Sequence, residues 1–376
     1  WNAYLSSLFS HVPVNSKDTF RQKLAVKSMI TLLTNWRSAA GQLYHEGVFP
    51  SASYQGFYGF WSWDSWKQAT ALSYFEPELA KNNIRALFHF QDAAGMVPDC
   101  IYADSTENNY RDTKPPLAAW AVWHVFEVTR DTAFVKEMYP LLERYHNWWY
   151  TYRDHDRNGL CEYGATDGTR IAAAWESGMD NAVRFDNAVM LKNRDGAWSL
   201  DQESVDLNSY LYKEKIILAK MAGVLQQPQQ VKHWHIQAGT LAGNIRAAFY
   251  DSSSGYYYDR KLTGELVRIK GAEGWIPLWA GIATAPQAKS MMKYLLDTAV
   301  FNTLVPLPVL DAGEKKFDPQ RGYWRGPVWI DQFQFAIAGL LYYHKTSVAA
   351  ALSSKLWQHA AGMKDTGPLH ENYHPH

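Results

Sequence analysis

The sequence is dominated by segments in which apolar residues recur every three or four positions. This spacing is typical of amphipathic helices that bury one face in a protein core. The segment 17–42 shows it most clearly, and Asp18 and Thr19 can cap its first turn. The pattern predicts a mainly α chain with eleven helices, at 17–42, 64–76, 78–91, 115–129, 132–153, 204–223, 228–249, 275–283, 286–297, 327–344 and 347–363.

The loops between these helices are rich in Gly, Pro, Trp and Asp and alternate between short and long. Few segments alternate as strands do, and 249–261 is the best hairpin candidate. Such a chain suits a toroid of helical hairpins, an (α/α)6 barrel, whose long loops form a pocket at one end. Twelve helices close this barrel, so we expect the last helix to lie beyond His376.

Nothing in the composition divides the chain, since we find no Gly/Ser linker and no shift in residue usage. We therefore interpret residues 1–376 as a single domain. The sequence opens at Trp1, without a Met or a signal-like segment. We expect it to be an excerpt of a longer protein.

Charge and aromatic content indicate the kind of partner. Lys and Arg together number 37, as do Asp and Glu, so no net field attracts nucleic acid or an anionic membrane. Aromatic residues make up 15% of the chain, with 17 Trp and 23 Tyr. A pyranose ring has an apolar C–H face and a rim of hydroxyls, so its binding sites combine aromatic rings with polar groups. A sugar is the partner that this composition favours.

Aromatic and acidic residues occur together in four short segments. In the first, GFWSWDSWK, three Trp fall within six residues of a polar stretch. Helix capping would explain the single Asp but not the three Trp. The segment supplies the candidate sugar contacts Trp61, Trp63, Asp64, Trp66 and Lys67.

The second segment, AAAWESGMDNAVRFD, surrounds a Gly that permits a sharp turn. Its acids could simply cap a helix. Alternatively, a carboxyl held near an aromatic wall stays protonated and donates its proton to a leaving oxygen, because the surroundings raise its pKa. The candidates here are Trp175, Glu176 and Asp180.

The third segment, GYWRGPVWIDQFQF, adds Trp324, Arg325, Trp329 and Asp331 as candidate sugar contacts. The fourth, LHENYHPH, ends the chain and contains Glu371. A Glu in such a loop could be ordinary surface. As the acid of the fourth segment of this kind, it is the natural partner carboxylate for an acid in the second.

Taken in order, the four segments resemble glycoside hydrolase family 63, which includes processing α-glucosidase I and its bacterial homologues. WSWDSWK, WESGMD, YWRGPVWID and HENYHP are each similar to a family motif, and the match runs over nearly the whole chain. The resemblance implies that Asp180 is the general acid and Glu371 the general base, and that Asp64 binds the sugar. EGWIPL and YRDTKPPLAAW are also similar to family segments, which adds Glu273, Trp275 and Lys114 as pocket candidates.

The activity implied is an inverting, exo-acting α-glucosidase that releases glucose from α-linked oligosaccharides. Inversion needs two carboxyl groups roughly 6.5–9.5 Å apart, one for the leaving group and one for water. A trehalase-like and a mannosylglycerate-type hydrolase are alternatives from related enzymes. A non-catalytic sugar-binding module is a further alternative, but it has no need for both acids.

A separate motif, DHDRNGLCE, places oxygen-bearing residues at alternate positions around a Gly. This is the first half of a calcium loop of the EF-hand type. A solvated turn after a helix would use the same residues, but bacterial members of family 63 have similar calcium loops. We expect structural Ca²⁺, no organic cofactor, and a periplasmic or extracellular location. The predicted ligands are Asp154, Asp156, Asn158, the Leu160 carbonyl and Glu162.

Overall fold

A computed structural model of the chain describes residues 1–12, 17–52 and 54–376. Helices dominate its regular structure. Within the described ranges there are thirteen, which are α1 (Asn2–His11), α2 (Thr19–Thr34), α3 (Ser62–Leu72), α4 (Pro77–His89), α5 (Ala118–Thr129), α6 (Thr132–Tyr152), α7 (Arg170–Glu176), α8 (Val205–Val224), α9 (Pro228–Phe249), α10 (Ile276–Ala280), α11 (Ala285–Leu296), α12 (Ile330–Tyr342) and α13 (Thr346–His359).

Each of the eleven predicted segments overlaps one of these helices, so the periodicity argument is confirmed. The first prediction was too long: α2 ends at Thr34, and Trp36–Arg37 form a short strand instead. Helices α1 and α7 were not predicted. The expectation of a further helix beyond His376 is not tested by the described residues and stays a prediction.

The strands are short, and all their pairings are antiparallel. They are β1 (Trp36–Arg37), β2 (Gly47–Val48), β3 (Phe60–Trp61), β4 (Cys100–Ile101), β5 (Glu162–Ala165), β6 (Met190–Arg194), β7 (Ala197–Glu203), β8 (Tyr250–Asp251), β9 (Tyr256–Tyr257), β10 (Asp259–Lys261), β11 (Leu266–Val267), β12 (Val328–Trp329) and β13 (Asn372–Tyr373). The predicted hairpin is confirmed, since Tyr250 of β8 lies opposite Tyr257 of β9. The five-stranded sheet of β5, β6, β7, β10 and β11 was not predicted.

The chain divides into two compact units, which we describe separately. Unit 1 comprises 1–151 and 214–237, and unit 2 comprises 152–213 and 238–376. In unit 1, α3 packs against α4 and α5. Its core includes Trp66, Ile84 and Trp149, whose side chains are fully buried.

Unit 2 combines the five-stranded sheet with helices. α10 packs against α12, and Gly281 caps the end of α10 with a φ of +83°, the left-handed conformation that favours glycine. α11 begins with a capping box, in which the side chains of Thr284 and Gln287 each accept a hydrogen bond from the backbone N–H of the other residue. Two-residue pairing of β12 with β13 joins two loops that are more than forty residues apart in sequence.

Among the described residues, no helix combines the length and the apolar character needed to cross a bilayer.

Candidate active site

Asp180 lies in a tight turn directly after α7. Thr169 caps the start of this helix, and its side chain accepts a hydrogen bond from the Ala172 N–H. The turn needs a glycine at 178, where φ is +73°. The hydroxyl of Ser177 donates to the Ala174 carbonyl at 2.7 Å and accepts from the Met179 N–H at 3.0 Å. Asp180 is thus presented, half-buried, on a turn of fixed shape.

The residue after Asp180 bonds to a distant part of unit 2. The amide nitrogen of Asn181 donates to the Gly322 carbonyl at 3.0 Å, and its amide oxygen accepts from the Trp324 N–H at 3.0 Å. The Arg325 Nε donates to the Asn181 carbonyl at 2.9 Å. The guanidinium of Arg325 also pairs with Asp186, at 2.5 Å. Arg325 therefore holds the chain around Asp180, a structural contact that the sequence does not reveal.

The segment 322–329 forms a compact aromatic structure. The indole rings of Trp324 and Trp329 stack with centroids 3.7 Å apart and an interplanar angle of 8°. The Trp329 Nε1 donates to the Tyr323 carbonyl at 3.0 Å, whereas the buried Trp324 Nε1 has no hydrogen-bond partner in the described part of the chain. An unbonded buried N–H is costly, so this group is a candidate donor to a ligand or to water.

Glu371 lies beside the same segment. β13 follows Glu371 immediately and pairs with β12, so Asn372 lies opposite Trp329. The His370 N–H donates to the Tyr373 hydroxyl at 3.0 Å, which closes the loop around Glu371. The side chain of Glu371 is exposed. The turn that carries Asp180 and the loop that carries Glu371 are therefore both bound to 322–329.

Asp331 lies in the first turn of α12, directly after this segment. Its carboxylate accepts from the Gln332 N–H at 2.7 Å and from the Gln332 side-chain amide at 3.3 Å. Gln332 itself is fully buried. Asp331 is half-buried and so keeps a surface that a ligand could contact.

Glu176 has no exposed surface, which contradicts its predicted role as a sugar contact. Its carboxylate pairs with the buried guanidinium of Arg153, at 2.8 Å, and accepts from the Gly164 N–H at 2.6 Å. A buried carboxylate held by a buried Arg is a structural pair. The structure thus corrects the role of Glu176, which fixes the end of α7, one turn before Asp180. The neighbouring residue Trp175 is half-buried.

Glu273 and Trp275 form a buried 3-10 turn before α10. Burial raises the pKa of Glu273 to about 8, and Asp259 and Asp206 add to this effect while Arg184 opposes it. Trp275 is fully buried, and its ring packs edge-on against Phe301 at 5.3 Å. Trp275 therefore offers no ring face for sugar stacking, which corrects that part of the prediction.

In unit 1, three of the predicted sugar contacts have partly accessible positions. Trp61 is half-buried and packs against Phe57, with ring centroids 5.2 Å apart. The Lys67 ammonium lies 3.1 Å from the centre of the Trp63 ring, a cation–π contact. Asp64 is half-buried in the first turn of α3, where a negative charge suits the helix dipole.

The other three unit 1 candidates, Trp63, Trp66 and Lys114, are buried. Trp66 has no exposed surface and packs against Phe88 of α4 at 5.6 Å, so stacking of a sugar on its ring is not supported. Lys114 is also buried and forms ion pairs with Asp99 at 3.1 Å and with Asp112 at 3.5 Å. These carboxylates neutralise its charge, which indicates that Lys114 holds the loop before α5.

The predicted calcium ligands form a cluster in unit 2. Single carboxylate oxygens of Asp154, Asp156 and Glu162 lie within 4.8 Å of one another. Gly159, with φ of +83°, makes the turn between them. One oxygen of Glu162 is buried and lacks a hydrogen-bond partner among the described residues, and the nearby carboxylates raise the pKa of this group beyond the effect of burial. A hard cation would satisfy this oxygen and offset the repulsion.

A further acid beside this cluster was not predicted. Glu203 lies opposite Glu162 in the pairing of β5 with β7, and its carboxylate accepts from the Asn158 amide at 2.5 Å. Arg260 pairs with Glu203 at 2.7 Å. No local motif includes Glu203, since only strand pairing brings it to the loop. An acid on an unpredicted strand could not be assigned from sequence spacing.

Comparison with known proteins defines the class of this chain. The profile of the mannosylglycerate hydrolase MGH1-like glycoside hydrolase domain matches residues 57–376. Mannosylglycerate hydrolase MGH1 of Selaginella moellendorffii is 24% identical over 349 residues, covering 73% of this chain and 68% of its own. A mannosylglycerate hydrolase of Thermus thermophilus is 24% identical over 420 residues, and the alignment covers 93% of this chain and 94% of that relative.

A solved structure extends the comparison to the fold. The crystal structure of a family 63 mannosylglycerate hydrolase from Thermus thermophilus, in complex with Tris, superposes with a TM-score of 0.74 at 22% identity, over 94% of each chain. The protein is a glycoside hydrolase of the mainly α, (α/α)6-barrel fold class, as the sequence predicts. It belongs to the MGH1-like glycoside hydrolase family, within glycoside hydrolase family 63.

Proposed function

We propose that this enzyme hydrolyses the α-glycosidic bond between a hexose and a small hydroxy acid, as in mannosylglycerate, with inversion at the anomeric carbon. This substrate replaces the generic α-glucosidase expected from the sequence as the main proposal. What supports it is that two relatives aligned over 73% and 93% of the chain are named mannosylglycerate hydrolases. Release of glucose from α-linked oligosaccharides stays a second candidate, since the four sequence motifs are compatible with it.

In the proposed mechanism, the Asp180 carboxyl donates its proton to the glycosidic oxygen as the bond to the anomeric carbon breaks. Glu371 takes a proton from a water molecule, which attacks the opposite face of the sugar in the same step. The half-buried position of Asp180 suits the acid, and the exposed position of Glu371 suits a base that must reach water. The observation that carries this proposal is that segment 322–329 binds both the Asn181 side chain and the strand after Glu371.

Sugar binding is proposed for those candidates that keep accessible surface. In unit 2 these are Trp175 and Asp331. The N–H of Trp324, which is buried and unbonded among the described residues, is a further candidate donor. In unit 1 they are Trp61, Asp64 and Lys67, whose ammonium lies over the buried ring of Trp63. Ring faces would pack on sugar C–H groups, and the carboxylates would accept hydrogen bonds from hydroxyls.

Calcium binding by the 154–162 loop is proposed as a structural feature of the same enzyme. Asp154, Asp156 and Glu162 would supply carboxylate oxygens, with Asn158 and the Leu160 carbonyl as the further predicted ligands. The unbonded buried oxygen of Glu162 supports the fit. The ion would neutralise the clustered acids at the start of the five-stranded sheet and take no part in the reaction.

The proposal is tested by incubating the purified enzyme with mannosylglycerate, glucosylglycerate, trehalose, kojibiose and nigerose, and measuring the released hexose. Mannosylglycerate should give the highest kcat/KM. Proton NMR of the first product formed should show the β-anomer, the result of inversion. Preference for an α-glucose disaccharide would favour the second candidate, and the α-anomer as first product would exclude inversion.

A further inference from the structure

Asn181 uses both atoms of its side-chain amide in bonds to one distant loop. The nitrogen donates to Gly322 and the oxygen accepts from the N–H of Trp324, each at 3.0 Å. The backbone carbonyl of Asn181 accepts from Arg325 at 2.9 Å. Three atoms of the residue next to Asp180 are therefore held by 322–325.

The loop that receives these bonds is itself fixed. Arg325 also pairs with Asp186, which in addition forms an ion pair with Lys316 at 2.5 Å. Trp324 stacks on Trp329, and Trp329 lies opposite Asn372 in the pairing of β12 with β13. Contacts thus continue from Asn181 through the Trp pair to the residue that follows Glu371.

We propose that Asn181 is a positioning residue that sets the orientation of the Asp180 carboxyl relative to the loop carrying Glu371. The inference rests on the proposed function, and it adds a residue to which that function assigns no role. Asn181 does not take part in the chemistry. Its effect is geometric. When the hydrogen bonds of its side-chain amide are intact, the acid is held within reach of the leaving oxygen while Glu371 stays on the other side of the sugar.

The chemistry of the amide explains why asparagine suits this position. A carboxylate could still accept from the Trp324 N–H, but it has no hydrogen to give the Gly322 carbonyl and would place two acceptors against each other. An alanine would lose both bonds. Aspartate at 181 should therefore restore little of what alanine loses.

The test compares wild type, Asn181→Ala and Asn181→Asp with Asn187→Ala as the control, since Asn187 is an exposed asparagine in the same part of the chain. Each is assayed on mannosylglycerate, whose leaving group needs a proton, and on α-mannosyl fluoride, whose leaving group needs little. Melting temperatures show whether each variant is folded.

Loss of positioning should lower kcat for mannosylglycerate by about 10- to 100-fold in both Asn181 variants, with KM little changed. The loss on the fluoride should be less than about threefold, and Asn187→Ala should match wild type on both. Equal losses on the two substrates, or recovery of wild-type kcat by aspartate, would overturn the positioning role. Those outcomes leave the proposed function intact, because that function is tested on wild type alone, by its substrate preference and by the anomer it releases first.

Discussion

Trp324 and Trp329 stack face to face, with ring centroids 3.7 Å apart and only 8° between their planes. This spacing leaves no room for a sugar between the rings. The pair serves as a rigid connection, since Trp324 bonds to the residue after Asp180 and Trp329 lies opposite the residue after Glu371. An inverting hydrolase depends on a fixed distance between its two carboxyls, and a rigid aromatic connection is well suited to maintain it.

Trp61 and Trp66 provide a matched pair for separating sugar contact from packing. Trp66 has no exposed surface, so Trp66→Ala should lower the free energy of unfolding by about 3–5 kcal/mol. Trp61 is half-buried, so Trp61→Ala should cost less stability but raise KM. Urea unfolding and steady-state kinetics measure the two effects. Unchanged KM together with a large stability loss in Trp61→Ala would assign that residue to packing alone.

Glu273 should make the stability of the fold depend on pH. Its pKa is raised to about 8, mainly by burial, from an ordinary value of 4.5. Between these values the folded state keeps a proton that the unfolded state releases, so the free energy of unfolding should fall as pH rises through this window. The slope from this group is at most about 1.4 kcal/mol per pH unit.

Glu273→Gln keeps a neutral side chain, so it should remove this contribution to the pH dependence. The free energy of unfolding of this variant should therefore increase relative to that of wild type as pH rises from 5 to 8. Urea unfolding at several pH values measures the difference. Glu265→Gln is the control, because Glu265 is exposed. Parallel pH profiles for wild type and Glu273→Gln would show that Glu273 is not held protonated in the folded state.

Calcium should stabilise the fold by mass action. For a site that binds only the folded protein, a hundredfold excess of metal over Kd adds about 2.7 kcal/mol. Chelation with EDTA should lower the melting temperature of wild type but not of the Asp154→Ala/Asp156→Ala double variant. Asp195→Ala, which removes an exposed acid, should behave like wild type. Identical melting temperatures of wild type with calcium and with EDTA would exclude the site.

Glu371 should be required for every substrate, because water must be activated whatever the leaving group. Glu371→Ala should lose activity on mannosylglycerate and on α-mannosyl fluoride alike. Added azide should restore part of the activity on the fluoride and form the β-mannosyl azide, the inverted product. If Glu371→Ala keeps near-wild-type activity, another carboxylate must be the base, and Asp64 is the first to examine.

Much of the fold and part of the candidate site follow from local sequence patterns. Apolar spacing locates the eleven predicted helices, because each helix buries one face. The turn at Gly178 and the acids at 154–162 are also local, so their motifs identify them. What escapes prediction depends on pairing across the chain, as with Glu203, which reaches Asn158 only through the β5–β7 register.

The dependence on contacts across the chain also explains why some residues predicted to contact sugar are buried. Trp66 occurs in a loop-like aromatic motif, yet it faces α4 because α3 begins at Ser62. Glu176 resembles an active-site acid, yet Arg153 lies 23 residues earlier in sequence and takes its carboxylate. A motif shows which residues occur together, but only tertiary contacts show which of them are exposed.

The central claim, that Asp180 is the proton donor of this glycoside hydrolase, is tested most directly by one comparison. It is the ratio of kcat/KM for mannosylglycerate to that for α-mannosyl fluoride, measured in wild type and in Asp180→Asn. General acid catalysis typically contributes about 10²–10⁴-fold, so the ratio should fall by that order in Asp180→Asn, with most of the fluoride activity retained. An unchanged ratio would contradict the assignment.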